Sequence, residues 1–415
     1  MEENIFDSNI EILPNGIKLI TVKRQTGMCS IHAGIKIGSL YEKSNEKGIC
    51  HFIEHMLFKG TYSRTNEELN NDLEQRGGEY NAYTNYDSTV YSITALCEEL
   101  EPSIELMADM LQNSNFPMEE LEKERGVILS EIRTSKDDIE DYCFRRLHEI
   151  AFDKSPLRYD TLGDEGTVGS LTRKQLVDFY RAYYVPNNCV ITIVSPYEHE
   201  AVIKLINENF KLWQEKDFKR EKIIIEKNNE CKEITYKKDI EQAAISYAFS
   251  FHNLNKEEEL ALRILNHKFG ESSNSMLFRE LREERGLAYD IYSDLDLTTN
   301  VKMLYIYTSV VSESVDEAIE AIKDCIDEIK NEVVKFDEST TELMKKVLKT
   351  AVTATLEDST DLGNYILHQV LENVSIYEFV EDMKNLEKIE AKNIYEVARK
   401  VFENPSIHIL LPEME

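Results

Sequence analysis

No apolar run in this chain of 415 residues approaches the ~18 residues that a membrane-spanning helix requires. The N-terminus, Met1-Glu2-Glu3-Asn4, is acidic and has no apolar stretch of signal-peptide type. A cytoplasmic protein with no membrane partner is therefore expected. Positive charge is also short, with 48 Lys and Arg against 78 Asp and Glu, a net charge of −30. Phosphate backbones attract basic surfaces, so nucleic acid is excluded as an expected partner. The same charge permits attraction of Lys/Arg-rich peptides, although acidity by itself mostly reports solubility. The seven cysteines (Cys29, Cys50, Cys97, Cys143, Cys189, Cys231 and Cys325) stand singly, odd in number and without Cys-x-x-Cys spacing. This argues against a disulfide framework or a thiolate metal site and for reduced thiols.

What is present suffices for a sizeable core. Hydrophobic residues make up 42% of the chain and aromatics 9%, and the length points to two domains or more. The pattern reads as α+β, in two halves of similar layout. A helix-like stretch from Ser170 to Tyr184 leads through Pro186 into the apolar run Cys189 to Val194. Near the C-terminus a helix-like stretch from Glu390 to Phe402 leads through Pro405 into Ile407 to Leu411. Two such endings predict an internal duplication. The charged stretch 214–230 reads as the linker between an N-terminal domain, 1–213, and a C-terminal domain, 231–415.

The chemistry concentrates on His51-Phe52-Ile53-Glu54-His55. Asn45 is the expected N-cap and Gly60 the expected stop of a helix that is apolar on nearly every face, which predicts burial. Positions four apart differ by about 40° around a helix, so His51 and His55 project together, with Glu54 on the same side. Burying two imidazoles and a carboxylate is costly unless something binds them. Zinc meets that need, and the residue order is that of an inverted zincin motif. Ordinary core histidines are the bland alternative, and they account for a lone His better than for this constellation. A third ligand is expected from 119–134, where Leu121, Glu124, Ile128 and Glu131 form one helical stripe. That stripe leaves Glu124 and Glu131 both eligible. After the capping box Thr65-x-x-Glu68, and Gly77-Gly78, residues 80–96 read as extended strand.

These segments resemble the M16 family of metallopeptidases, closest to a short two-domain bacterial branch similar to the mitochondrial processing peptidase. The resemblance rests on His51-Phe52-Ile53-Glu54-His55-Met56-Leu57-Phe58-Lys59-Gly60-Thr61, Gly77-Gly78-Glu79-Tyr80-Asn81-Ala82-Tyr83-Thr84 and Val127-Ile128-Leu129-Ser130-Glu131-Ile132. It rests also on Leu277-Phe278-Arg279-Glu280-Leu281-Arg282-Glu283-Glu284-Arg285-Gly286-Leu287-Ala288-Tyr289. It implies two homologous domains, each a largely antiparallel sheet packed with helices. It implies one Zn2+ per chain on His51, His55 and Glu131, with Glu54 as catalytic base and Glu124 supporting the metal site. Arg282 and Tyr289 would serve the substrate carbonyl and the oxyanion, and Asn81, Ala82 and Tyr83 would supply an edge strand for the peptide substrate. An endopeptidase acting in an enclosed chamber, as a homodimer or as a heterodimer with a related chain, is the implied assembly. Where the family often has a Gly-rich loop, this chain reads Phe269-Gly270-Glu271-Ser272-Ser273-Asn274-Ser275-Met276. A non-catalytic subunit of the same fold is the rival reading, and a short ribosylhomocysteine lyase with a cysteine ligand is a more distant one. His32, His148, His199, His252, His267, His368 and His408 are expected to be structural or on the surface.

Overall fold

Alternating side chains on extended runs rich in Ile, Val and Thr build two sheets, in a computed structural model that describes residues 5–413. The first sheet orders β1 (Asp7–Ile12), β2 (Lys18–Lys23), β6 (Cys189–Ser195), β3 (Met28–Ile35), β5 (Thr89–Leu96) and β4 (Glu79–Thr84). The second orders β7 (Cys231–Lys237), β11 (Ser406–Pro412), β8 (Ala243–Ser250), β10 (Met303–Val310) and β9 (Ala288–Asp296). β2 pairs parallel with β6, and β7 parallel with β11; the other pairings are antiparallel. Leaving β1 aside, both sheets therefore share one strand order and one pattern of directions. The duplication expected from the two helix-turn-strand endings is visible in this topology. The helix Arg173–Tyr183 leads into β6 and the helix Ala391–Val401 into β11. Capping boxes start both helices, at Thr172 with Gln175 and at Glu390 with Asn393.

The compact units are not the contiguous halves 1–213 and 231–415. One unit comprises 1–133, 160–222 and 353–378, and the other 134–159, 223–352 and 379–415. Each half thus lends a helix to the other half's sheet. The helix Ser359–Leu371 brings Leu362, Ile366, Leu367 and Val370 against Ile20, Val22, Val90, Val190 and Val194 of the first sheet. The helix Ile139–Ala151 packs on β8 and β11 of the second. A sheet with apolar residues on both faces needs cover on both, and these helices supply it. The approach is close at Gly363, where a Cβ would fall 2.8 Å from both Ser30 Oγ and His32 Nδ1. Residues 214–230, expected as the linker, contain no helix or strand.

Candidate metal and active site

The helix Ile49–Met56 has only two turns, too few to persist alone in water. Packing holds it instead: Ile49, Cys50, Phe52, Ile53 and Met56 are all buried in the core of the first unit. It begins at Gly48 (φ +86°), where a Cβ would meet the Leu162 carbonyl oxygen at 2.5 Å. Asn45 is not its N-cap. The helix starts later than expected, and its first amides point into the core, where water cannot reach them. The buried Glu42 carboxylate accepts from Gly48 N (3.0 Å) and Cys50 N (2.9 Å) instead. Burial pushes Glu42 up to about 7, against the pull of these amides and of Lys47. Gly60, the expected stop, lies past the C-cap Leu57 with φ +122°.

His51 and His55 face one side of this helix, as their spacing requires. His51 Nε2 lies 3.2 Å from His55 Nε2, and Glu131 Oε2 lies 3.7 Å from the first nitrogen and 3.6 Å from the second. Tetrahedral ligands about 2.1 Å from a zinc ion stand about 3.4 Å from one another. The three atoms thus already mark three corners of such a site. Two imidazole nitrogens and a carboxylate oxygen at these separations match the donor set and spacing that zinc takes, so the residues fit zinc. Among the described residues this is the one His/Cys/Asp/Glu group whose ligand atoms converge in this way.

The geometry also separates the two carboxylates that the helical stripe left open. Glu124 is buried on the helix Met118–Asp137, and its Oε2 accepts from His55 Nδ1 at 2.9 Å while its Oε1 meets Lys59 Nζ at 2.9 Å. That bond places the proton on Nδ1 and leaves the Nε2 lone pair facing the ligand corner. Glu131, further along the same helix, keeps a 41% exposed side chain facing the Nε2 atoms of His51 and His55. Burial, joined by His55, lowers His51 to about 3, so its imidazole is neutral, the form that ligates. Its Nδ1 is buried without a partner among the described residues. Burial pulls His55 down too, but the Glu124 hydrogen bond and the charges of Glu131 and Glu54 raise it overall. Burial weighs on Glu124 as well; His55 and Lys59 nevertheless hold it below its usual range.

Glu54 shares the helix and accepts from Thr84 Oγ1 at 2.6 Å. Burial raises its carboxyl above the ordinary range, opposed by Thr84 and His55. Thr84 ends β4, which among the described residues pairs only with β5 and so leaves one edge open. On β4, Tyr80 and Ala82 pack against the core that contains the histidine helix. Asn81 is exposed, and its Oδ1 accepts from the Ala82 amide at 2.9 Å. Tyr83 turns to the opposite face, where its hydroxyl meets Asn364 Oδ1 (2.7 Å) and His368 Nε2 (2.6 Å).

Arg282 and Tyr289 belong to the second unit. Arg282 sits in the wide helical turn Phe278–Glu284, its guanidinium carbon 4.9 Å from the Tyr289 ring centre and 4.8 Å from that of Phe278. Tyr289, on the edge strand β9, is 77% exposed. The turn before them contains Glu271, which accepts from Asn266 Nδ2 at 3.3 Å. Lys59, Glu42 and Thr84 escaped the sequence reading. Only Lys59 left a signal, a lone cation one turn beyond His55 in an apolar run.

Two family models match the chain: "Insulinase (Peptidase family M16)" over residues 18–165 and "Peptidase M16 inactive domain" over residues 170–348. An uncharacterized zinc protease of Rickettsia felis is 28% identical over 411 residues, 97% of this chain and 96% of its own length. The beta subunit of the mitochondrial-processing peptidase of Bos taurus is 32% identical over 207 residues, half of this chain and 42% of that protein. Among solved structures, a protease from Helicobacter pylori superposes with a TM-score of 0.90 at 21% identity, covering 98% of this chain and 100% of that one. A peptidase M16 inactive domain from Pseudomonas fluorescens gives 0.88 at 16% identity, over 99% and 98%. With sequence models matched across both halves and the same fold, the chain belongs to peptidase family M16.

Proposed function

We propose that the chain is a zinc-dependent endopeptidase in which Glu54 is the general base and the open edge of β4 receives the peptide. The observation that carries this reading is the convergence of His51, His55 and Glu131 on one point, with Glu54 on the same helix. When bound there, zinc supplies Lewis acidity, which lowers the pKa of water toward about 7. His51, His55 and Glu131 hold the ion, and Glu124 keeps His55 in the ligating tautomer. Glu54 takes the proton from the attacking water as the scissile carbonyl is hydrated, then delivers it to the leaving amine. The peptide adds to β4 through backbone hydrogen bonds, beginning at the Ala82 amide that Asn81 covers in its absence. Arg282 and Tyr289 are assigned to the substrate carbonyl and the oxyanion, one zinc to each chain, and a homodimer in the cytoplasm to the assembly.

The match of residues 170–348 to an inactive-domain model favours a zinc and base set carried by the first unit alone. It does not favour a chain without chemistry, because all four residues of the zinc and base set are present. A quenched peptide mixture, assayed with wild type and Glu54→Gln alongside elemental analysis, tests the proposal. Wild type should cleave and stop with chelator; Glu54→Gln should keep its zinc and lose at least about a hundredfold in kcat. A wild type without zinc, or a fully active Glu54→Gln, would overturn the reading.

A further inference from the structure

Thr84 has one hydroxyl proton and two candidate acceptors. Glu54 Oε2 lies at 2.6 Å and Thr89 Oγ1 at 3.5 Å, so the proton goes to the carboxylate. Thr89 has no need of it, since its own hydroxyl donates to the Ile37 carbonyl at 3.0 Å. Nor does the turn after β4 depend on Thr84. Asn85 Oδ1 already accepts from Asp87 N, Ser88 N and Ser88 Oγ. The hydroxyl is therefore spent on Glu54 alone. The pairing of β4 with β5 adds a second fact. Ala82 sends its amide to the open edge, where Asn81 Oδ1 receives it. Amides of an antiparallel strand alternate in direction, so the Thr84 amide points to that edge too. The Thr84 amide also donates to the Glu54 carboxylate, so one residue holds the base twice. The backbone row open to a peptide thus ends on the residue that holds the base.

We infer that Thr84 is a positioning residue for Glu54: its hydroxyl pins Oε2, aims Oε1 at the attacking water, and ties the base to the strand that receives the peptide. This rests on the peptidase reading above. With the hydroxyl on Oε2 the carboxylate keeps one orientation, whereas without that bond it samples more rotamers and only one of them is productive. The opposite face of β4 is anchored as well, through Tyr83 to Asn364 and His368, so the clamp on Glu54 has a firm base. A peptide paired at Ala82 would then meet a base whose position is set by the same strand.

The test compares Thr84→Val, which keeps the shape and loses the hydroxyl, with Thr84→Ser, which keeps the hydroxyl. Three readouts are needed: kcat and KM on a quenched peptide, zinc content, and peptide affinity measured on Glu54→Gln and on the double variant Glu54→Gln/Thr84→Val. The expected result for Thr84→Val is a kcat lower by about tenfold to a hundredfold, with KM, zinc content and peptide affinity within about twofold of their references. Thr84→Ser should recover most of the rate. A Thr84→Val enzyme within about twofold of wild type in kcat overturns the inference. So does a change confined to KM, or a Ser variant as slow as the Val variant, which would assign Thr84 to strand packing. A wild type that cleaves nothing removes the peptidase reading and this inference with it; an active wild type with an indifferent Thr84→Val removes this inference alone.

Discussion

Glu124 divides its two oxygens between His55 and Lys59, and so binds the metal site to a cation that no ligand motif includes. A neutral amide of the same shape could still accept from His55 Nδ1 through its oxygen, but its NH2 would then face the Lys59 ammonium. The imidazole would lose the charge that raises its basicity, and Lys59, a partly buried cation, would lose its partner. Glu124→Gln is therefore predicted to weaken zinc binding by about tenfold to a hundredfold. Competition against a fluorescent chelator measures this directly, and an unchanged affinity would place Glu124 outside the metal site. His51 differs, because its Nδ1 has no partner among the described residues. The two histidines are thus unequal: Glu124 fixes His55 from behind, and His51 has no such hold.

At the scale of elements, what could be read from the chain was what repeats with a period. The stripe Leu121, Glu124, Ile128, Glu131 is a helix face, and a helix does present it, with Leu121, Glu124 and Ile128 buried. The two helix-turn-strand endings were legible for the same reason. Asn45 misled because a local cap was sought where Glu42 reaches in from outside the helix, a contact that no spacing encodes. Thr84 was hidden because its meaning depends on which strand lies at the edge. The apolar residues of Ser359–Leu371 announced a buried face without saying which sheet they would cover, so the contiguous division 1–213 and 231–415 could not anticipate the exchange. That exchange has a consequence. A fragment of residues 1–230 would leave Ile20, Val22, Val90, Val190 and Val194 without the helix that covers them. At roughly 1.5–3 kcal/mol per buried side chain, the loss is on the order of 10 kcal/mol, comparable to a domain's whole stability. The fragment should show no cooperative urea transition, and a sharp transition like that of the full chain would contradict the exchanged packing.

For the whole molecule, both units bury a histidine that the metal site does not use. His32 on β3 is 2% exposed, and burial, with His368 nearby, lowers it to about 4. His408 on β11 is fully buried between Cys143 Sγ (3.2 Å) and Thr235 Oγ1 (2.8 Å); burial, aided by the Arg146 charge, lowers it to about 4 as well. Both folded values lie below the unfolded 6.5. In the unfolded chain each ring takes up a proton as the pH falls through about 6.5, while the folded ring stays neutral until about 4. Their contribution to stability is complete above this window and drains away as the pH falls through it. At pH 5 the loss is on the order of 2 kcal/mol for each ring. Urea unfolding at pH 7.5 and pH 5.0 should therefore show an acid-labile protein, and His408→Gln should shrink the difference between the two conditions by about 2 kcal/mol whatever it does at pH 7.5. The second unit should carry that change, because His408 belongs to it, and His32→Gln should act on the first. If the His408→Gln chain loses as much stability on acidification as wild type, the buried ring is not what titrates. The acid response would then belong to the other rings that burial holds low, such as His32 and His148, because a carboxylate held below its usual range, such as Asp109, gives up its contribution only at still lower pH.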